Sequence, residues 1–198
     1  MNENPSREND SSLITKTLRG LALLLGSRIW YQLIHFFVSI VLARLLLPED
    51  YGLLGMALVF TGFLSTLSDF GLTSAIVQKK ELSDQQLSSI FWFDILIGVI
   101  CAALLTLVSP LISAFYSEPK LIPILSVLSI NFILLNGNVV PFAQAQKSLQ
   151  FGKITKINAT AVFLSGLISI LAAFADMGVW SLVLQTLSSS FILLILFW

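Results

Sequence analysis

Residues 121–146, LIPILSVLSINFILLNGNVVPFAQAQ, form a run of 26 residues without one charged side chain. An α-helix needs about 20 apolar residues to cross the hydrocarbon core of a bilayer, so the run predicts a membrane-spanning helix. Pro141 has no amide proton to donate to the carbonyl of Gly137, and its ring crowds that carbonyl. We therefore expect an interrupted helix, with Gly137 and Pro141 as candidate hinge residues and the amides of Asn136 and Asn138 beside the break.

The rest of the chain has the same apolar character. Of its 198 residues, 56% are hydrophobic and only 11% are charged, and the mean hydropathy is +0.90. An ordinary soluble domain has about a quarter of its residues charged. The composition predicts an all-α polytopic membrane protein with a polar tail at 1–17 and a six-helix lobe at 18–198. The approximate spans are 18–47, 51–72, 89–116, 121–146, 155–175 and 178–198.

The last two spans are separated by a single charged residue, Asp176. One continuous helix over both spans would be about 63 Å long, which is twice the thickness of the bilayer core. We therefore expect the chain to turn at residues 176–178 and to cross the membrane a sixth time.

The basic residues are distributed unevenly between the two sides of the predicted membrane domain. Eight of the 11 Lys and Arg residues fall on the side that holds residues 1–17 and the second and fourth loops. Only Arg44 and Lys120 fall on the other side, and Arg28 lies within a span. Cytoplasmic loops carry the excess of Lys and Arg, so the polar tail and both termini are expected to be cytoplasmic.

One face of the first predicted span is polar, because Arg28, Gln32, His35 and Ser39 follow one another at helical spacing. A guanidinium near the bilayer centre costs about 2.5 to 3.5 kcal/mol, so Arg28 requires a partner or a ligand. Direct binding of an anion is one interpretation. A structural ion pair, or a position close to the interface, is the other. His35 has no second histidine or paired acid beside it and is interpreted as a packing residue.

Three further charged residues are candidates for a role in the membrane domain. Asp69 and Asp94 lie toward the cytoplasmic ends of their predicted helices, where either could pair with Arg28 or couple transport to an ion gradient. Arg44 lies at the predicted outer rim, close in sequence to acidic residues. A rim ion pair and the steering of an anionic ligand are both open for Arg44.

The sequence lacks the groupings that catalysis and cofactor binding require. It contains no nucleophile with a base at helical spacing, no Gly-rich phosphate loop and no paired histidines within a span. We therefore expect neither an enzyme, nor a metal site, nor a cofactor. The net charge of zero argues against nucleic acid as a partner, and the single cysteine, Cys101, excludes an intramolecular disulfide.

Six sequence segments together carry a resemblance to a known family. They are ARLLLPEDYG at 43–52, SDFGLTSAIVQ at 68–78, LSDQQL at 82–87, FW at 91–92, FYSEP at 115–119 and GVWSLV at 178–183. In order and spacing they resemble the N-terminal half of Wzx-type oligosaccharide and polysaccharide flippases, which belong to the multidrug/oligosaccharidyl-lipid/polysaccharide exporter superfamily. Residues 146–151, QKSLQF, depart from the family, because only Lys147 stands where polysaccharide transporters often carry adjacent basic residues.

The resemblance implies both an architecture and an activity. Members resemble two six-helix lobes, twelve or more helices in all, around a central cavity that opens to alternate sides of the membrane. The chain would correspond to the first lobe. It would flip polyprenyl-diphosphate-linked oligosaccharide across the cytoplasmic inner membrane of a prokaryote during synthesis of exopolysaccharide, O-antigen or capsule. Arg28 would attract the diphosphate, and Gln32, Asn131, Asn138 and Asn158 would hydrogen-bond to sugar hydroxyls.

Besides lipid-linked oligosaccharide and the bilayer, the resemblance implies the polymerase and other assembly proteins as partners. Two rival interpretations remain open. The first is an exporter of drugs or other small molecules from the same superfamily, driven by an ion gradient through Asp94 or Asp69. The second is a membrane scaffold that transports nothing, or a fragment of a longer transporter, because members of the family usually exceed twice this length.

Overall fold

The computed structural model describes residues 32–68, 71–79 and 82–198, and within these ranges it contains eight helices and no strand. The helices are α1 (Gln32–Leu45), α2 (Pro48–Ser68), α3 (Leu72–Gln78), α4 (Asp84–Tyr116), α5 (Leu121–Asn136), α6 (Val139–Lys147), α7 (Phe151–Phe174) and α8 (Val179–Phe197). The predicted all-α class is confirmed. The predicted tail at 1–17, Arg28 and Asp69 lie outside the described residues.

Five candidate membrane spans are long and apolar enough to cross a bilayer in the part of the chain that the structure describes. They are Pro48–Gln78, Asp84–Tyr116, Leu121–Lys147, Phe151–Phe174 and Val179–Phe197. The first of them combines α2 with α3 and includes residues 69–70, which are not described. The first predicted span contributes α1, a shorter apolar helix, to the described residues. These spans confirm a polytopic membrane protein.

The helix bounds differ from the predicted spans mainly at the polar ends. The third predicted span begins at residue 89, whereas α4 begins at Asp84. A capping box starts it there: the Gln86 amide donates to the Ser83 hydroxyl, and the Ser83 amide donates to the Gln86 side chain, both at 3.3 Å. Hydropathy marks only the apolar part of a helix, because a capped helix can extend beyond the hydrocarbon region.

Helix α5 lies at the centre of the bundle and packs against α4, α8 and α2. Its residues Leu121, Leu125 and Leu128 are at most 2% exposed and form the main core with apolar residues of those three helices. Leu107 and Leu111 of α4 are more than 70% exposed and point away from that core. An apolar outer surface of this kind is what the hydrocarbon core of a bilayer solvates.

A second core joins α1 to the hairpin of α7 and α8 and contains Val38, Leu42 and Leu182. The chain turns between α7 and α8 at the residues that the span lengths require. Gly178 has φ +53° and ψ −128°, a backbone conformation that residues with a Cβ rarely adopt. The Ser169 hydroxyl of α7 donates to the carbonyl of Ser181 in α8 at 2.8 Å, which ties the two helices together just below the turn.

Polar contacts mark the two ends of the bundle. At one end, the Lys120 ammonium lies 3.6 Å from a Glu49 carboxylate oxygen, which joins the loop before α5 to the start of α2. At the other end, the Lys147 ammonium donates to the carbonyl of Lys79 at 2.7 Å, which joins the end of α6 to the end of α3. Glu49 therefore pairs with Lys120 and not with Arg44, for which a rim ion pair was one interpretation.

Candidate functional site

The run without charges is interrupted near Gly137. Helix α5 ends at Asn136 and α6 begins at Val139. Gly137 (φ −62°, ψ −17°) and Asn138 (φ −95°, ψ −9°) keep right-handed backbone conformations. The amide of Asn138 donates to the carbonyl of Leu135, three residues back, instead of four. The interruption is thus a tightened turn between two helical segments, and not an unwound loop.

The carbonyl of Gly137, which Pro141 leaves without its usual donor, accepts a hydrogen bond from another residue. The indole Nε1–H of Trp198 donates to the Gly137 oxygen, with an N···O distance of 3.2 Å. The Asn136 amide does not reach that oxygen, because it donates to Phe132 in its own helix at 2.8 Å. The sequence pattern around the break points to its two asparagines and gives no sign of Trp198. The donor lies 61 residues further along the chain.

A small cavity with both polar and apolar lining residues lies directly beside this interruption. It has a volume of about 230 Å³ and forms where α2, α3, α4, α5 and α6 meet. Asp94 of α4 and Asn136 of α5 line it and are 2% and 6% exposed. The other lining residues are Ser65, Ser68, Leu72, Thr73, Leu135 and Val139. Asp94, which the sequence marks as a candidate site residue, thus lies in a cavity next to the interrupted helix.

Several groups with oxygen atoms line the cavity around Asp94. The hydroxyl of Ser65 donates to Gly62 at 2.8 Å, and that of Ser68 donates to Ser65 at 3.2 Å, so both protons are used within α2. The lone pairs of these hydroxyl oxygens remain available. An arrangement of carboxylate, hydroxyl and amide oxygens can hold a proton, a small cation or a hydroxyl-bearing ligand. Within the ranges described, no group of three His, Cys, Asp or Glu side chains forms a metal site.

The other predicted site residues that the structure describes do not line this cavity. Gln32 and Arg44 lie on α1 and are exposed, whereas Asn131 on α5 and Asn158 on α7 are half-buried. Asn131 and Asn138 are seven residues apart and share a face of the interrupted helix. The Oδ1 atoms of both are buried and accept no hydrogen bond within the described residues.

The chain is a polytopic all-α membrane protein. One of its candidate spans is interrupted, and a cavity lies beside that interruption in the helix bundle. Residues 41–198 match the family described as polysaccharide biosynthesis protein, and the chain belongs to that family. The resemblance to Wzx-type flippases is confirmed by this match and by similarity to characterised relatives. No solved structure matches the chain.

Three relatives show the extent of the similarity. The chain is 35% identical over 122 residues to the lipopolysaccharide biosynthesis protein WzxC of Escherichia coli (strain K12), covering 62% of the chain and 25% of the relative. It is 28% identical over 157 residues to the succinoglycan biosynthesis transport protein ExoT of Rhizobium meliloti (strain 1021), covering 79% and 32%. It is 30% identical over 105 residues to the teichuronic acid biosynthesis protein TuaB of Bacillus subtilis (strain 168), covering 53% and 22%. The chain therefore spans at most about a third of the length of these relatives.

Proposed function

We propose that the chain forms the first lobe of a transporter that flips polyprenyl-diphosphate-linked oligosaccharide across the bacterial cytoplasmic membrane by alternating access. The observation that carries this proposal is the cavity around Asp94 beside an interrupted membrane helix. Transporter binding sites are characteristically built at such interruptions, near the middle of the bilayer. Family membership and the similarity to ExoT, a succinoglycan biosynthesis transport protein, support it.

Different polar residues are proposed to bind different parts of the substrate. Arg28 attracts the diphosphate, because a guanidinium donates two parallel hydrogen bonds to phosphate oxygens. Gln32 on α1, together with Asn131, Asn138 and Asn158, donates and accepts hydrogen bonds with sugar hydroxyls. The unfilled Oδ1 atoms of Asn131 and Asn138 support this assignment, because a buried acceptor without a donor is unfavourable until a ligand supplies one.

The polar face of α1 is exposed, which supports the proposal that α1 borders a transport pathway shared with a second lobe. Gln32, His35 and Ser39 are all exposed although they lie on an apolar helix. A polar face at bilayer depth is stable only against protein or water. We therefore propose that this face borders the central cavity and that a second lobe closes the cavity from the opposite side.

A second candidate function is favoured by the oxygen atoms around Asp94. In this alternative the carboxylate binds a proton or Na⁺, and the ion gradient drives export of a small molecule. Both candidates use the same cavity and the same interrupted helix. They differ in what crosses the membrane, so the transported substrate separates them.

Deletion of the gene that encodes the chain tests the two candidates and the scaffold together. With a flippase, radiolabelled lipid-linked oligosaccharide should accumulate in the cytoplasmic leaflet, beyond the reach of a glycosidase added to spheroplasts, and drug susceptibility should be unchanged. With a small-molecule exporter, the oligosaccharide should distribute normally and drug susceptibility should rise. A normal distribution combined with normal susceptibility would contradict both transport functions and favour the scaffold.

A further inference from the structure

The hydrogen bond between Trp198 and Gly137 points to a specific role for α8. We infer that the Trp198 indole is the positioning donor that holds the tightened turn between α5 and α6, by satisfying the carbonyl that Pro141 sets free. The N···O distance is 3.2 Å; Trp198 directly follows α8, and Gly137 lies between α5 and α6. The bond thereby connects the end of α8 to the one place in the charge-free span where the helix is interrupted.

The other interior proline of the bundle shows why α5 and α6 need a donor from elsewhere. Pro110 lies inside α4 and frees the carbonyl of Thr106. That carbonyl accepts a hydrogen bond from the hydroxyl of Ser109, the residue next to the proline, at 2.8 Å. The residue before Pro141 is Val140, which has no hydroxyl. The repair that Ser109 makes in α4 is therefore not available at this position, and the donor is Trp198, directly after α8.

Two ring contacts hold the end of α8 against the bundle. The Trp198 ring meets Phe91 of α4 edge to face, with the ring centroids 5.4 Å apart. The preceding residue, Phe197, is 8% exposed and packs in the same way against Phe142 of α6, at 5.7 Å. Trp198 itself is 70% exposed, so the buried Phe197 anchors this end of the chain and Trp198 reaches the Gly137 carbonyl from the surface.

The consequence is a mechanical link between α8 and the hinge. Gly137 is buried, and a buried carbonyl without a donor is unfavourable, so the tightened turn is stable while α8 stays in place. Movement of α8 away from Gly137 removes the donor and destabilises that turn. The connection of this link to alternating access rests on the proposed function, but the bond itself does not.

The hydrogen bond is tested in the detergent-solubilised chain by its indole ¹⁵N–¹H resonances. The chain contains four Trp residues, and Trp198→Phe assigns the signal of interest. Its indole proton should exchange with deuterium more slowly than that of Trp92. Pro141→Ala supplies an amide that competes for the Gly137 carbonyl, and it should accelerate the exchange of Trp198 about fivefold. An indole signal unaffected by Pro141→Ala would overturn the inference.

A stability comparison separates the hydrogen bond from ring packing. Trp198→Phe keeps an aromatic ring against Phe91 but removes the donor, so the unfolding equilibrium constant should rise about fivefold. The loss should be at least halved in the Pro141→Ala background. Trp92→Phe is the matched control, because Trp92 contacts the same Phe91 ring, with centroids 5.6 Å apart, and has no acceptor among the described residues.

Equal losses for Trp198→Phe in the wild-type and Pro141→Ala backgrounds would show that only ring packing is involved and would overturn the inference. Neither measurement requires transport. A flippase that fails the leaflet assay would therefore leave this result standing, and a failed Trp198 measurement would leave the proposed transport function untouched.

Discussion

Asp94 lies in a more buried environment than its position in the sequence suggests. Its position in the sequence suggests a carboxylate near the cytoplasmic end of a span, whereas the structure places it 2% exposed in a cavity with serine, threonine and asparagine neighbours. A carboxylate at this depth is costly to keep, and ionisable residues inside membrane proteins mark ligand or ion pathways. We therefore expect transport to depend on the charge of the Asp94 side chain more than on its shape.

Asp94→Asn should reduce transport by about tenfold or more while leaving membrane abundance near normal, because the amide has the same shape but cannot bind a proton or a cation in the same way. Quantitative immunoblots and the leaflet assay measure the two effects. Asp176→Asn is the control, since Asp176 is exposed in the turn before α8.

A purely structural role for Asp94 predicts a different pattern. If Asp94 pairs with Arg28, Asp94→Asn would leave the guanidinium without its counterion and lower the abundance of the protein. Arg28→Ala in the same chain would then restore abundance. Full transport by that double variant would contradict a ligand role for both residues.

Among the elements, α4 and α5 approach each other closely because α4 carries a glycine at the contact. A Cβ at Gly98 would lie 2.9 Å from the carbonyl oxygen of Phe132 and 3.2 Å from the Cβ of Asn136. Small residues permit such contacts between membrane helices, where packing drives association. The same contact positions Asn136 beside the Asp94 cavity.

Gly98→Ala should lower the free energy of unfolding by about 1 to 3 kcal/mol, because the added methyl group forces α4 and α5 apart. Gly62→Ala in α2 is the matched control, since a Cβ at that position meets nothing within 4 Å. There the higher helix propensity of alanine should stabilise the chain by up to about 1 kcal/mol. Denaturation in mixed micelles measures both variants, and equal effects would show that the α4–α5 contact tolerates the methyl group.

The interruption between α5 and α6 is the second feature at this scale. Pro141→Ala restores an amide donor for Gly137 and should straighten the helix, so stability should hold or rise. If the kink changes during alternating access, flux should fall about tenfold, with crosslinks favouring one orientation of the cavity. Normal flux through a well-expressed Pro141→Ala protein would leave the kink as a packing feature without a hinge role.

At the scale of the whole molecule, lysine side chains join loops that are distant in sequence. Lys79 and Lys147, assigned from their loops to the cytoplasmic side, contact each other at one end. Lys120, assigned to the outer side, pairs with Glu49 at another contact between loops. The side of the membrane that each end faces is a proposal based on the excess of Lys and Arg.

Cysteine accessibility in intact cells tests this orientation, after Cys101→Ser removes the native thiol. A cysteine at Lys153 should be protected from an impermeant thiol reagent, and a cysteine at Lys120 should react. Loss of the Lys120–Glu49 pair matters little, because both side chains are about two-thirds exposed. The opposite labelling pattern would reverse every loop assignment.

The amino-acid sequence by itself determined the all-α membrane class, the number of long apolar runs, the turn at 176–178 and the interruption near Gly137. These features follow from local causes: hydrophobic length, the reach of one helix across a bilayer and the missing amide of Pro141. The family was also readable, because its short motifs keep their order along the chain.

Only the tertiary structure decided which groups meet. Helical spacing places residues on one face of their own helix, but it does not set how that helix is rotated against its neighbours. For that reason Gln32, Asn131 and Asn158 do not line the cavity that receives Asp94 and Asn136. For the same reason the donor to Gly137 is Trp198, 61 residues away, and not an adjacent asparagine. Contacts between distant segments depend on packing of the whole bundle, which no single stretch of sequence specifies.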